Sequence, residues 1–326
     1  LVGSEMCIRD RAGCSSDGTT KTGAATSTKT STATSTDTSS AECLTANAPG
    51  CTNFVQAHGF LQAKNSKILN QNGDPVRLWG MSLFWSAFAE GEPYYNENVV
   101  KTLKKDWNVT LVRAAMQVDQ DGKGYKINRD EKHKIIKIVE AAVKEGIYVI
   151  VDWHTYNIVT AEAEEFFTDM ATLYKDVPNV IFEIYNEPVN KEWTRDVKPY
   201  AENIVKNIRA AGANNLILVG TKAWSSNPQE AAADSLEDSN VAYVLHFYAA
   251  DHKEEYRARA RDAIRRGATV FVSEFGTCQA DGNGRFDPDE TERWLKFLKD
   301  NMISWANWAI SSKSETCSAL KPVSYT

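Results

Sequence analysis

Eight short apolar runs between residues 76 and 310 alternate with segments of helical periodicity, and few folds accommodate that order. The runs cover 76–84, 109–116, 147–154, 180–186, 216–221, 241–247, 269–274 and 303–310. Most are apolar throughout rather than at every second residue, as strands buried on both faces require. Between them, residues 130–145 carry Ile135, Ile136, Val139, Ala142 and Val143 on one helical face, and Gly146 ends the pattern. Further helices are expected at 96–107, on Ala163, Phe166, Phe167, Met170 and Leu173, on Tyr200, Ile204, Val205, Ile208 and Ala211, and on the charged stretch 253–266. This α/β alternation predicts a (β/α)8 TIM barrel. A doubly wound open sheet is the competing arrangement, but no Gly-rich phosphate loop follows any run.

The barrel does not use the whole chain. Residues 1–11 fit nothing that follows and read as a non-native leader of translated sequencing-adaptor sequence, and the tail 322–326 reads the same way. Residues 12–53 form a second unit. Ala12-Gly13-Cys14-Ser15-Ser16 resembles the end of a bacterial lipoprotein signal, which would make Cys14 a lipid anchor; a chance match in a small-residue tail is the alternative. Residues 15–42 contain no Leu, Ile, Val, Phe, Tyr or Trp and are dominated by Ser and Thr. Such a stretch cannot bury enough apolar surface to offset its ordering entropy, so a disordered linker is expected. The globular domain is read as 54–326. It begins with an N-terminal β-hairpin, two short strands within 59–75 and a turn at Asn72-Gly73-Asp74.

Charge and cysteine content narrow the classes of function. A net charge of −6 disfavours a nucleic-acid partner. No apolar run approaches the ~20 residues needed to span a bilayer. Six cysteines are present, none in a Cys-x-x-Cys pair, so a structural zinc site is not indicated. Cys43 and Cys51 close a short loop around Pro49-Gly50, and Cys278 and Cys317 follow the seventh and eighth runs, which would be neighbours in a closed barrel. Two disulfides would form in an exported chain; in a reducing compartment the same residues would be buried thiols.

In a barrel of this type the C-terminal strand ends converge on one face. Those ends carry Trp85, Arg113, Asp152-Trp153-His154, Asn186-Glu187, His246-Phe247-Tyr248, Glu274 and Trp305-Ala306-Asn307-Trp308. Core packing does not call for polar groups at nearly every strand end. Glu187 and Glu274 each close an apolar strand, and paired carboxylates so placed suit glycosidic chemistry. Trp305 is expected in the core and Trp308 on the site. His58, His133 and His252 read as surface residues. An Asp152, His154 and His246 metal set is disfavoured, because nothing completes it.

The chain resembles glycoside hydrolase family 5, and most its bacterial endoglucanase (β-1,4-glucanase, cellulase) subfamily. The likeness runs over about residues 58–320 and rests on Val-Arg-Ala-Ala-Met (112–116), Val-Asp-Trp-His (151–154), Ile-Tyr-Asn-Glu-Pro (184–188), His-Phe-Tyr (246–248), Val-Ser-Glu-Phe-Gly (272–276) and Ser-Trp-Ala-Asn-Trp (304–308). The resemblance implies a retaining enzyme with Glu187 as acid/base and Glu274 as nucleophile. It implies supporting roles for Arg113, His154, Asn186, His246, Tyr248, Trp308 and Trp85, and outer sugar contacts at Lys313 and Glu315. It further implies a β-1,4-glucan substrate and no metal or other cofactor. The chain is expected to act as a monomer, and an anchor at Cys14 with the linker after it would place it outside the cell or at its surface. A mannanase or xylanase would share the barrel and both glutamates, and a non-catalytic carbohydrate-binding surface lipoprotein is the rival from another class. There are two departures: residues 81–88 lack a histidine that some relatives carry, and too few residues follow Ile310 for the closing helix after the eighth strand. An exposed apolar seam near strands one and eight, and lowered stability, are therefore expected.

Overall fold

A computed structural model of the chain describes residues 53–321. The leader, Cys14, the linker and the Cys43–Cys51 pair lie outside the described residues. Two antiparallel strands, β1 (Gln62–Lys64) and β2 (Lys67–Leu69), precede a closed barrel of eight parallel strands. Those are β3 (Trp79–Leu83), β4 (Leu111–Gln117), β5 (Tyr148–His154), β6 (Val180–Glu183), β7 (Ile217–Val219), β8 (Val241–Tyr248), β9 (Val270–Gly276) and β10 (Trp305–Ile310). They pair in chain order, and β10 closes on β3. The expected fold is the one present.

The helices end where local chemistry stops them. Asn96 accepts from the Val99 N–H at 3.2 Å and starts Glu97–Asp106. Asp287 does the same for Glu290 at the head of Pro288–Asp300. Gly146, at φ 67°, terminates Glu131–Glu145 in the left-handed conformation that glycine adopts at least cost. The expected apolar faces pack against the sheet, with Val143 and Leu173 as exceptions. Both are exposed because Ile135, Ile138, Val139 and Ala142 on one helix, and Phe166, Phe167, Met170 and Ala171 on the other, already cover the strands.

Alternation along the strands sorts the barrel interior into layers. Ile150, Ile181, Leu218, Val244 and Phe271 fill the lower part with Leu61 and Ile68 of the hairpin. The hairpin plugs the N-terminal mouth: the Ala63 N–H donates to Asn240 Oδ1 at 2.8 Å, and the Tyr148 hydroxyl to the Gly59 carbonyl at 2.7 Å. Two residues further along, the same inward positions become Asp152, Glu183, His246 and Ser273. The change from apolar to charged therefore occurs within single strands, toward their C-terminal ends.

Three expectations need correction. The hairpin turns at Asn65-Ser66, both at positive φ, whereas Asn72-Gly73 turns the chain after β2, where Asn70 Oδ1 accepts from the N–H groups of Asn72 and Asp74. His58 is buried, 3.4 Å from the Asn70 amide, and desolvation lowers its pKa; His252 is half-buried, stacked on Tyr256 with its Nδ1 accepting from the Tyr248 N–H, and only His133 is exposed as expected. The fourth barrel strand ends at Glu183 rather than Asn186. Beyond it the backbone stays pinned to its neighbours, with Ile184 donating to Leu218, Asn186 to Trp153 and Glu187 to Thr155.

Among the described residues no helix follows β10. An apolar groove of about 480 Å³ flanks the Glu97–Asp106 helix there, lined by Val99, Leu103, Trp107, Ile310 and Leu320. It lies where the sequence predicts an apolar seam. Leu320 partly fills it, held by its N–H to the Ser311 carbonyl.

Candidate active site

Arg113 is the hub of the charged layer. Its side chain is fully buried on β4 and ion-pairs three carboxylates: Asp152 of β5 at 2.9 Å, Glu183 of β6 at 2.8 Å and Glu274 of β9 at 2.9 Å. It also donates to Asn186 Oδ1 at 2.6 Å. A planar fork of five donors can hold several oxygens in fixed directions, which a lysine could not. The pairs are desolvated, so removing Arg113 would leave its buried acidic partners without their shared counter-charge.

Two bulges set the next layer. Along β8 and β9, Val244 faces Phe271 and His246 faces Glu274, so β9 carries one extra residue between matched positions. That residue turns both Ser273 and Glu274 to the inside, where strict alternation would present one. A similar irregularity lies between Asn307 and Ile310 of β10, and it brings Trp308 against Phe84, Tyr248 and Cys278. Trp305 instead packs with Phe275 in the core, as expected.

Glu274 accepts from the Tyr248 hydroxyl at 2.7 Å and from Arg113 at 2.9 Å. Burial alone would raise its pKa, but the charges of His246 and Arg113 outweigh burial and hold the carboxyl below the usual range. Glu187 is pushed the other way. Burial and the Glu274 charge raise its pKa, against an opposing hydrogen bond from His246. His246 Nδ1 lies 2.9 Å from Glu187 Oε1. Burial would lower the imidazole pKa, but Glu274, Glu183 and Glu187 together bring it up to about 9. Two carboxyl groups with opposite shifts in one cleft provide a base and an acid over the same pH range.

One oxygen each of Glu187 and Glu274 and one nitrogen of His246 lie within 4.8 Å of one another. These donor types could surround a cation. Tyr248 and Arg113, however, already occupy the two oxygens of Glu274, and Glu187 occupies His246 Nδ1. Nothing in this donor set argues for a metal role.

His154 completes the aromatic side of the cleft. Its Nδ1 is 2.6 Å from Asp152 Oδ2, its ring lies parallel to Trp308 at 5.3 Å, and Trp85 stands edge-on to it at 4.0 Å. Asp152 thus orients His154 and binds Arg113, so its adjacency to His154 is not a metal motif. Lys313 and Glu315 lie further out on the loop after β10. They pair at 2.6 Å, with the Lys313 ammonium over the Phe84 ring and Glu315 buried. The Cys278–Cys317 disulfide ties that loop to the one after β9. Closing a loop of 39 residues stabilises the fold by about 4 kcal/mol on chain-entropy grounds.

Three neighbours of the site escaped the reading by strand ends. Glu183 and Ser273 lie one layer below it, and Trp224 lies on its rim. A glutamate inside an apolar strand is itself a signal, since unpaired Glu is almost never fully buried. Trp224 has no comparable signature. It is 54% exposed, sits in a turn where Ala223, Trp224 and Ser225 all have positive φ, and donates its N–H to the Pro188 carbonyl next to Glu187. Three such residues in a row store backbone strain, which clusters at functional sites.

Comparison with known proteins agrees with this geometry. A family model described as cellulase (glycosyl hydrolase family 5) matches residues 69–314. Endoglucanase Z of Dickeya dadantii is 45% identical over 246 residues, covering 74% of this chain; the chain spans 58% of that relative's length. A solved structure from Cytophaga hutchinsonii superposes with a TM-score of 0.81 at 46% identity, over 83% of this chain and 89% of that one. The catalytic domain of Thermobifida fusca endoglucanase Cel5A, solved as a variant in complex with cellotetraose, superposes with a TM-score of 0.77 at 30% identity, over 82% and 90%.

Proposed function

Because this chain belongs to the family 5 glycosyl hydrolases, the cellulase family, we propose that it is a retaining endo-β-1,4-glucanase acting by double displacement. The separation of its two carboxylates carries the reading. Oxygens of Glu187 and Glu274 within 4.8 Å suit the spacing of about 5–5.5 Å used by retaining glycosidases. The facing oxygens are nearer to each other than the roughly 6.5–9.5 Å between carboxyl groups that lodges a water in inverting ones.

In this mechanism ionised Glu274 attacks the anomeric carbon. The glycosidic C–O bond breaks, and Glu187 protonates the departing oxygen. Glu274 then holds the sugar as an ester. Glu187, now a base, takes a proton from water as the water attacks the same carbon and Glu274 leaves as carboxylate. Arg113 and Tyr248 keep Glu274 ionised and aimed. Asn186, held by Arg113, is offered to the sugar 2-hydroxyl. Trp85, His154 and Trp308 would line the sugar ring next to the cleaved bond, with Lys313 and Glu315 one sugar further out. Consumption of the Glu274 charge in the ester lowers the Glu187 pKa when a base is needed.

The pH profile follows from the two shifts. Activity requires Glu274 ionised and is lost as pH falls through its lowered pKa; it requires Glu187 protonated and is lost as pH rises through its raised pKa. A bell whose acid limb lies below the ordinary Glu range and whose alkaline limb lies above it is expected in kcat/KM. Tyr248→Phe removes a donor to the charged form and moves the acid limb upward.

Trp224 extends the site on the Glu187 side, where the leaving sugar departs, and an exposed indole suits stacking on a pyranose. Trp224→Ala should raise KM for soluble cellulose chains about 3- to 10-fold, as loss of one aromatic contact implies. Cleavage of a short aryl cellobioside, which does not reach that far, should change little. An equal loss on both substrates would assign Trp224 to the fold instead.

The disulfide and the Ser/Thr-rich segment support action outside the cell or at its surface, with Cys14 as an anchor. The direct test of activity is reducing-end release from carboxymethylcellulose set against mannan and xylan. Preferential release from carboxymethylcellulose supports the reading. Preferential release from mannan or xylan moves the substrate class, and binding without release makes the protein a carbohydrate-binding module.

A further inference from the structure

Below the carboxylate pair lies a wholly buried glutamate, Glu183, that no step above uses. Its Oε1 accepts from the Ser273 hydroxyl at 2.6 Å, and Arg113 Nε donates to its Oε2 at 2.8 Å. Ser273 Oγ is also 3.0 Å from His246 Nε2. A serine hydroxyl has one proton to give. Against burial, the charges of Arg113 and His246 hold Glu183 ionised, its pKa lowered to about 2, so it can only accept. The Ser273 proton therefore goes to Glu183, and the contact with His246 is satisfied only if Nε2 carries a hydrogen and Ser273 accepts it.

We propose that Glu183 and Ser273 are positioning residues that fix the hydrogen on His246 Nε2 and supply the buried counter-charge that keeps His246 an imidazolium. The proposal deepens the glycosidase reading and rests on it. With Nε2–H committed to Ser273 and the ring an imidazolium, Nδ1 also carries a hydrogen and donates it to Glu187 Oε1, 2.9 Å away. That donor excludes a proton from Oε1, so the acidic proton of Glu187 sits on Oε2, the oxygen left for the substrate. When the glycosidic bond breaks, its electron pair stays on the leaving oxygen and takes the Oε2 proton. Glu187 becomes a carboxylate facing a ready-made cation. When water attacks and the ester to Glu274 breaks, the water proton returns to Oε2. His246 keeps both hydrogens throughout, and the summed charge of Glu187 and Glu274 does not change.

The charged and titratable groups facing His246 are Glu187, Glu183 and Glu274, with Arg113, Asp152 and His154 behind them. Without the Glu183–Ser273 pair, Nε2 loses its acceptor and the imidazole is free to be neutral. A neutral Nδ1 then accepts from Glu187, drawing its proton to Oε1, away from the leaving group.

The test is Ser273→Ala, with Ser273→Thr as the conservative control, assayed on two cellobiosides. One has a poor alkyl leaving group that must be protonated; the other has a dinitrophenyl leaving group that departs without help. Ser273→Ala should lower kcat/KM on the first by about one to two orders of magnitude, part of the roughly 10²–10⁴ that general acid catalysis contributes. The second should change by no more than a few-fold, and Ser273→Thr should restore the first. In the parent, imidazole ¹⁵N spectra should show both nitrogens of His246 protonated near neutral pH. An equal loss on both substrates, no loss on either, or a parent spectrum with bare Nε2 overturns the relay. If the parent cleaves neither cellobioside nor carboxymethylcellulose, the glycosidase reading itself fails, which is a separable outcome.

Discussion

Glu274→Gln lowers kcat on soluble cellulose by about four to six orders of magnitude, as loss of a covalent nucleophile does elsewhere. The substitution keeps the shape of the side chain and leaves the sugar-binding surface alone, so KM should move far less than kcat. It removes the one group able to form the ester. The variant should still fold, because Arg113 keeps Asp152 and Glu183 as partners. A second consequence comes from the electrostatics. The Glu274 charge raises the pKa of both Glu187 and His246, so both should fall in the variant. Carboxyl ¹³C titration of Glu187 reads that shift directly. Loss of activity with an unmoved Glu187 would mean that the two groups do not share a site in solution.

Glu187→Ala separates the two half-reactions. On cellulose chains the leaving sugar must be protonated, and activity should fall by about three to four orders of magnitude. A dinitrophenyl cellobioside needs no proton, so its first step should survive while the second, which needs Glu187 as base, becomes limiting. A burst of one dinitrophenol per enzyme followed by slow turnover is therefore expected. Azide, small enough for the space left by the carboxylate and needing no base, should restore turnover and give a β-glycosyl azide. Loss of the burst together with the steady rate would place Glu187 in substrate binding instead.

The parts of this site visible in the amino-acid sequence are those at strand ends. Val-Asp-Trp-His, Ile-Tyr-Asn-Glu-Pro and Val-Ser-Glu-Phe-Gly announce themselves because a polar residue closes an apolar run, and the barrel then brings such ends together. Glu187, Glu274, His246, Tyr248, Arg113 and His154 meet for that reason. The layer beneath was harder to see. Glu183 lies inside the run read as a strand, and its hydrogen-bond partners Arg113 and Ser273 are 70 and 90 residues away. Strict alternation would turn only one of the neighbours Ser273 and Glu274 inward; the extra residue in β9 turns both in, and bulges leave no periodic trace. The left-handed turn at Trp224 contains no glycine to mark it. Asn72-Gly73 has the stronger local turn preference, yet the register of β1 on β2 places the hairpin turn at Asn65-Ser66. The burial of His58 is not visible locally, since the Asn70 beside its ring nitrogen arrives only when the hairpin folds.

The central claim is that Glu274 becomes covalently glycosylated. Incubation with a dinitrophenyl 2-deoxy-2-fluoro-cellobioside tests it most directly, because the fluorine slows both steps while the good leaving group lets the first proceed. Mass spectrometry of the intact chain should show one added fluorocellobiosyl group, and peptide sequencing should place it on Glu274, with activity lost in proportion. An enzyme that hydrolyses cellulose yet takes up no label, or carries it on Glu187, would contradict the assignment.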